Sequence, residues 1–130
     1  MSLTVTPELL ADARHGAVRD DDFLDCIRLS LPYAYDVVAR LAGELDTADR
    51  PYADNEVPPP DETARGQLLR AMSSNAIRSA LERHFQVTLA FQNCHRVAVF
   101  TPNAADSAEY RDFISVESQV LNQRPEFVNC

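Results

Sequence analysis

The chain has 130 residues, 45% of them hydrophobic, and a formal net charge of −8. This length fits one ordinary domain, and the apolar content is sufficient for a single core. The longest apolar runs, 87–91 and 97–100, fall far short of the roughly 18 residues that a membrane span needs, so the sequence predicts a single-domain cytoplasmic protein with no membrane partner.

The first part of the chain predicts three helices. Thr6, followed by a proline and a glutamate, is a typical N-cap, and Gly16 is typical of a helix end. A second helix over about 20–31 begins with three aspartates, whose charge complements the helix dipole. A third, near 32–46, carries apolar residues at steps of three and four. We expect these helices to pack against one core.

Residues 47–61 contain four prolines and four acidic residues and little to bury. They predict an acidic, proline-rich surface loop with polyproline character at 58–60. Loops of this length are functional or mobile more often than short connections are. The segment is therefore one candidate contact for a partner, and Asp61 at its end is placed to cap the next helix.

The second half predicts helices interrupted by a hairpin. Residues 62–86 have a helical pattern with polar residues at 73–75, which predicts either two helices or one bent helix, with the break favoured. Alternation then indicates a β-hairpin near 87–101, apolar on both faces and therefore covered on both sides. A last helix is predicted over about 106–122.

These elements predict the α+β class: one mostly helical domain of five or six helices with one antiparallel β-hairpin. The predicted core consists of the apolar residues on the inner stripes: Leu9, Phe23, Ile27, Val37, Leu41, Leu68, Leu69, Ile77, Leu81, Leu89, Val97, Val99, Phe113 and Leu121.

The positive charge comes entirely from twelve arginines and is unevenly distributed. Residues 1–62 have a net charge of −9, residues 63–100 of +4 and residues 101–130 of −3. A guanidinium binds carboxylate or phosphate through two parallel hydrogen bonds. The basic block therefore predicts either internal ion pairs or an anionic partner. Its candidate binding residues are Arg65, Arg70, Arg78, Arg83 and Arg96.

The order helix, polar break, helix and hairpin within 63–100 is also that of a winged helix-turn-helix protein. In this alternative, Arg78 and Arg83 enter the major groove and the hairpin with Arg96 forms the wing. The net charge of −8 opposes binding to a phosphate backbone. The hairpin has one arginine and no lysine, and the polar break has no glycine.

The hairpin tip, Asn93, Cys94 and His95, is the densest group of reactive side chains. Neighbouring strand residues point to opposite faces, so a thiol activated by the adjacent histidine requires the turn to bring the two together. Three scattered cysteines predict reduced thiols, and no ligand spacing predicts a metal. We expect no catalytic residue, no metal and no cofactor.

Several segments resemble a family of uncharacterised proteins of about this length from high-GC actinobacteria. They are ARGQLLRA (64–71), AIRSALERHF (76–85), FQNCHRVAVF (91–100), LNQRPE (121–126) and the terminal Cys130. The resemblance implies a single cytoplasmic domain and brings no activity with it.

The function that the sequence favours is a small non-catalytic interaction or regulatory module with a protein partner. The arginine block or the proline-rich loop is its expected contact, and a homo-oligomer is compatible with the same pattern. DNA binding through the segment 63–100 is the alternative, and an enzyme ranks third because no phosphate-binding glycine loop or nucleophile elbow is present.

Overall fold

The computed structural model describes residues 2–47, 49–93 and 96–122. Three helices come first: α1 (Pro7–Arg14), α2 (Asp20–Ser30) and α3 (Pro32–Thr47). Strand β1 (Tyr52–Asp54) follows, then α4 (Glu62–Ser73) and α5 (Asn75–Phe85). The hairpin strands β2 (Thr88–Gln92) and β3 (Arg96–Phe100) precede a 3-10 turn (Ala104–Asp106), α6 (Ala108–Phe113) and α7 (Val116–Leu121).

The fold is α+β, as predicted. The described residues contain seven α-helices, where five or six were expected, and a three-stranded antiparallel sheet. The strand order is β1-β3-β2, so β3 is the central strand. Val99 of β3 lies opposite Ala53 of β1 and Leu89 of β2, which fixes the register on both sides. Two of the three strands were predicted, as a β-hairpin; strand β1 and its pairing with β3 were not.

Both faces of the sheet are covered, which confirms the prediction from the apolar pattern. Because side chains alternate along a strand, Leu89, Val97 and Val99 face the large core built with α2, α3, α4 and α5. Ala90, Ala98 and Phe100 face a second, smaller cluster with Phe113 of α6. The Phe100 ring is fully buried there, with its centroid 5.2 Å from that of Tyr110.

Side-chain caps start five of the helices where the sequence changes from loop to helix. Thr6, Asp61, Ser74, Ser107 and Ser115 each accept a hydrogen bond from the backbone N–H three residues later. Such a cap satisfies one of the N–H groups that a helix end leaves without a partner. The cap at Ser74 divides residues 62–86 into two helices, so the favoured alternative is confirmed.

The predicted surface loop at 47–61 needs correction. It contains β1, which pairs with β3, and it buries Ala53 and Asn55. Pro59 is also buried. A strand of three residues is too short to produce a recognisable alternation, and the prolines on either side hid it.

The last predicted helix is also different, because it is two short helices instead of one over 106–122. The chain bends at Ile114, and the Ser115 side chain accepts a hydrogen bond from the Ser118 N–H at 3.1 Å, which starts α7.

Two residues predicted for the core, Leu69 of α4 and Leu121 of α7, are instead 42% and 81% exposed. For these two residues the core prediction is wrong.

Candidate functional site

Arg83 of the basic block lies in an ion pair within the chain. Its Nε and Nη2 atoms donate to the two carboxylate oxygens of Asp20, each at 3.1 Å. The pair joins α5 to the first turn of α2, and both side chains are more than half exposed. An exposed pair of this kind contributes little to stability. It nevertheless gives an acidic partner to an arginine that the winged-helix alternative places in the major groove of DNA.

The arginines of α4 and early α5 are also engaged. Arg78 donates from Nη1 to the Met72 carbonyl at 3.2 Å and from Nη2 to Oδ1 of Asn75 at 2.8 Å, so it closes the turn between the two helices. Arg65 pairs with Glu62 at 2.6 Å. Arg70 lies half-buried on α4. These side chains have different partners and serve local structure.

Arg96 is at the centre of a polar network on the outer face of the sheet. Its Nε and Nη2 donate to one oxygen of Asp54 at 3.1 and 2.6 Å, and its Nη1 donates to Oδ1 of Asn122 at 2.9 Å. The guanidinium also lies over the Phe113 ring, 5.4 Å from the centroid. Gln92, which is buried, donates to the Phe113 carbonyl and accepts from Asn122.

The network holds the end of α7 against the hairpin. Asn93, at the left-handed φ of 57° in the hairpin turn, donates to the Asn122 carbonyl at 3.1 Å and accepts from Gln119 at 3.0 Å. Of the predicted polar tip, only Asn93 can be placed, because Cys94 and His95 lie outside the described residues. The contacts of Asn93 and Arg96 indicate a structural role for both.

The surface of α7 and of the turn that precedes it carries an unusual set of exposed apolar side chains. Ile114 is 55% exposed, Val116 76%, Val120 65% and Leu121 81%. We call these four residues the outer apolar face. Helix α7 buries none of its own residues. A surface helix normally buries its apolar stripe, whereas α7 exposes its apolar residues together with Glu117 and Gln119, and hydrogen bonds at its C-terminal end hold it to the hairpin.

A second surface feature is the cleft between α1 and α2, with a volume of about 250 Å³. The apolar part of its lining consists of Leu9, Cys26 and Leu29, and four carboxylates, two from each helix, also border the cleft. The Cys26 thiol donates to the Thr4 carbonyl at 3.3 Å and the Thr4 N–H donates to Ser30 Oγ at 2.8 Å, so the N-terminal segment is fixed across α2.

A shallow third groove lies between α3 and the proline-rich segment. It is lined mainly by apolar groups of Val37, Val57 and the prolines, with Tyr33 at its side. Burial raises the pKa of the Tyr33 hydroxyl above its usual value of 10.0, against the opposing effects of a hydrogen bond with Asn55 and the charge of Arg40. Arg40 donates to Oδ1 of Asn55 at 2.7 Å.

No metal centre is found in the part of the chain that the structure describes: it contains no group of three or more His, Cys, Asp or Glu side chains placed to hold an ion. Within the same ranges, no helix is both long and apolar enough to cross a membrane.

A family model labelled KH_NucS_shadow and described as "NucS shadow ORF" matches residues 1–130. The chain belongs to this family. The match confirms that a small family spans the whole sequence, while the actinobacterial source stays a prediction. No curated protein and no solved structure matches the chain.

The NucS shadow ORF description names an open reading frame and no activity. Sequence reasoning selected the arginines and missed the outer apolar face: it placed Ile114, Val120 and Leu121 on the inner stripe of one long helix and did not consider Val116. The signal was present in Ser115 and Glu117, a serine followed by an acid within the first turn, which is typical of a new helix start.

Proposed function

We propose that the protein is a non-catalytic interaction module that binds a protein partner through the outer apolar face. The observation that carries the proposal is the exposure of three large apolar residues on α7, a helix that hydrogen bonds anchor to the hairpin. When a partner covers exposed apolar groups, it removes them from water and lowers the free energy of the complex.

The anchoring supports this proposal because it presents the face in one fixed position. A helix of six residues has little stability of its own, so α7 depends on its contacts with the hairpin. Those contacts use Asn93, Arg96 and Asn122. A surface that is ordered before binding loses less conformational entropy when it binds.

The charges around the face indicate the chemistry of the partner. Glu109, Asp112 and Glu117 lie on the same two short helices, with Arg111 as the single basic residue of α6 and α7. An apolar surface with an acidic rim is complemented by an apolar surface with a basic rim. A second copy of this chain would bring the same acids together, so we propose a different protein as the partner.

Retention of proteins from a native lysate on the immobilised protein tests the proposal. Val116→Ser/Val120→Ser should abolish retention of a stoichiometric partner. Val18→Ser/Val57→Ser, which changes two exposed valines elsewhere, is the matched control and should retain it. Equal retention by both variants contradicts the proposal. If the protein instead forms a dimer that Val116→Ser/Val120→Ser dissociates and the control variant does not, the partner is a second copy of this chain. That result contradicts the proposed chemistry of the partner.

Nucleic-acid binding through the basic block is the second candidate, and the net charge of +4 over residues 63–100 favours it. A winged-helix arrangement has little support, because β3 is central in the sheet and covered on both faces.

A mobility shift with duplex and single-stranded probes decides this second candidate. Phosphate binding through Arg78 and Arg83 requires an affinity that falls steeply between low and moderate salt. Absence of a shift at micromolar protein, or a shift that salt does not change, removes nucleic acid as the partner.

A further inference from the structure

We infer that the cleft between α1 and α2 is a second, independent docking site, whose occupant is a basic amphipathic segment of another protein. The inference goes beyond the proposed function, because it concerns the opposite end of the sequence and a different set of residues. It rests on the cleft's shape, its apolar lining and the charge at its edge.

The lining provides a contact for an apolar side chain. Leu29 is 63% exposed and Leu9 is partly buried, and both border the cleft together with the buried Cys26. Helix α1 buries none of its own residues, so its apolar side is incompletely covered by the fold. The volume of about 250 Å³ is below the usual range for small-molecule pockets. It suits the insertion of a side chain more than the enclosure of a whole ligand.

The edge of the cleft carries only negative charge. Glu8 and Asp12 come from α1, and Asp22 and Asp25 from α2; no arginine or histidine borders the cleft. Within the described residues, none of these four carboxylates forms a salt bridge. Four like charges around one cleft repel each other and lower the free energy of a bound cation.

The distribution of the carboxylates indicates an extended cation. They do not form a group that could hold a metal ion, in the part of the chain that can be described. An anionic membrane surface is repelled by the same charge. A peptide segment with one apolar anchor and flanking lysines or arginines satisfies both the apolar lining and the acidic edge. We therefore assign the cleft to this class of partner.

The test uses a fluorescent amphipathic peptide of leucine and lysine as the probe, with its binding to the full chain measured by anisotropy. A peptide with glutamate in place of lysine is the charge control. The lysine peptide should bind, the glutamate peptide should not, and binding should weaken as added salt screens the exposed charges. Amide chemical shifts should change along 4–12 and 22–29.

Variants separate the cleft from the general negative charge. Asp22→Asn/Asp25→Asn should weaken binding about tenfold, which corresponds to the loss of two exposed charge contacts. Asp36→Asn/Asp46→Asn removes the same charge from exposed positions of α3 and should bind almost as the natural chain does. Circular dichroism of all variants checks that each one folds.

Three results would overturn the inference: equal weakening by both double variants, binding of the glutamate peptide, or no binding of the lysine peptide. Because the lysine peptide also complements the outer apolar face, the peptide measurements are made in the Val116→Ser/Val120→Ser background, in which that face is removed and binding to the cleft should remain. The failure of this docking site is therefore distinguishable from a failure of the proposed function, which depends on the outer apolar face.

Discussion

Removing the carboxylate of Asp54 should destabilise the fold far more than removing that of Asp20, although each accepts two hydrogen bonds from an arginine. The reason is burial. The side chains of Asp54 and Arg96 are 6% and 24% exposed, whereas those of Asp20 and Arg83 are 71% and 56% exposed. Breaking a buried pair leaves a charge that neither water nor a partner compensates.

The expected loss in the free energy of unfolding follows from the exposure of the two side chains. Loss of one partner of a fully buried pair costs about 3–5 kcal/mol. Because Arg96 retains some contact with solvent and with Asn122, we expect the lower end, about 3 kcal/mol, for Asp54→Ala. A double-mutant cycle with Arg96→Met should give a coupling free energy of about 2 kcal/mol. The Asp20/Arg83 cycle should give at most about 1 kcal/mol.

Urea unfolding followed by circular dichroism supplies the four free energies of each cycle, provided that the slopes with denaturant stay equal. A coupling below about 0.5 kcal/mol for Asp54 and Arg96 would mean that the two sites are independent. Coupling as large in the Asp20/Arg83 cycle would equally refute the argument from burial.

Four further outcomes are expected. Leu41→Ala, at a fully buried position of α3, should cost about 2–5 kcal/mol in unfolding free energy, whereas Leu121→Ala should cost almost nothing. Phe100→Ala should cost about 3–5 kcal/mol and accelerate amide exchange in α6 more than in α3, because Phe100 is central to the smaller cluster. Pro59→Ala should cost about 1 kcal/mol by the same denaturation assay, since the ring is buried. The Tyr33 hydroxyl should ionise above its usual pKa of 10.0 in a spectroscopic titration; its raised pKa gives stability that is present below pH 10.0 and lost as the pH rises through the folded value.

Local signals explain why most of the helices were predictable. The caps at Thr6 and Asp61 and the period of α3 are contained in a few neighbouring residues. Agreement between local preference and tertiary packing is typical of a chain that specifies one structure. Strand β1 lacked such a signal, because three residues gain their conformation only by pairing with β3.

The candidate site was less predictable, because its contacts are distant in sequence. Arg83 and Asp20 are 63 residues apart, and Arg96 and Asp54 are 42 apart. Charge counting identified the arginines but not their partners. The outer apolar face was hidden for another reason: Val120 and Leu121 belong to an apolar stripe that predicts a core contact, but α7 starts anew at Ser115 and leaves both residues exposed.

The most direct test of the central claim is the amide hydrogen-exchange footprint of the protein with its captured partner. We expect protection at 114–121, on the outer apolar face, with little change at Arg65, Arg78 and Arg83. Protection centred on residues 65–83 and absent from 114–121 would contradict it and return the contact to the arginine block.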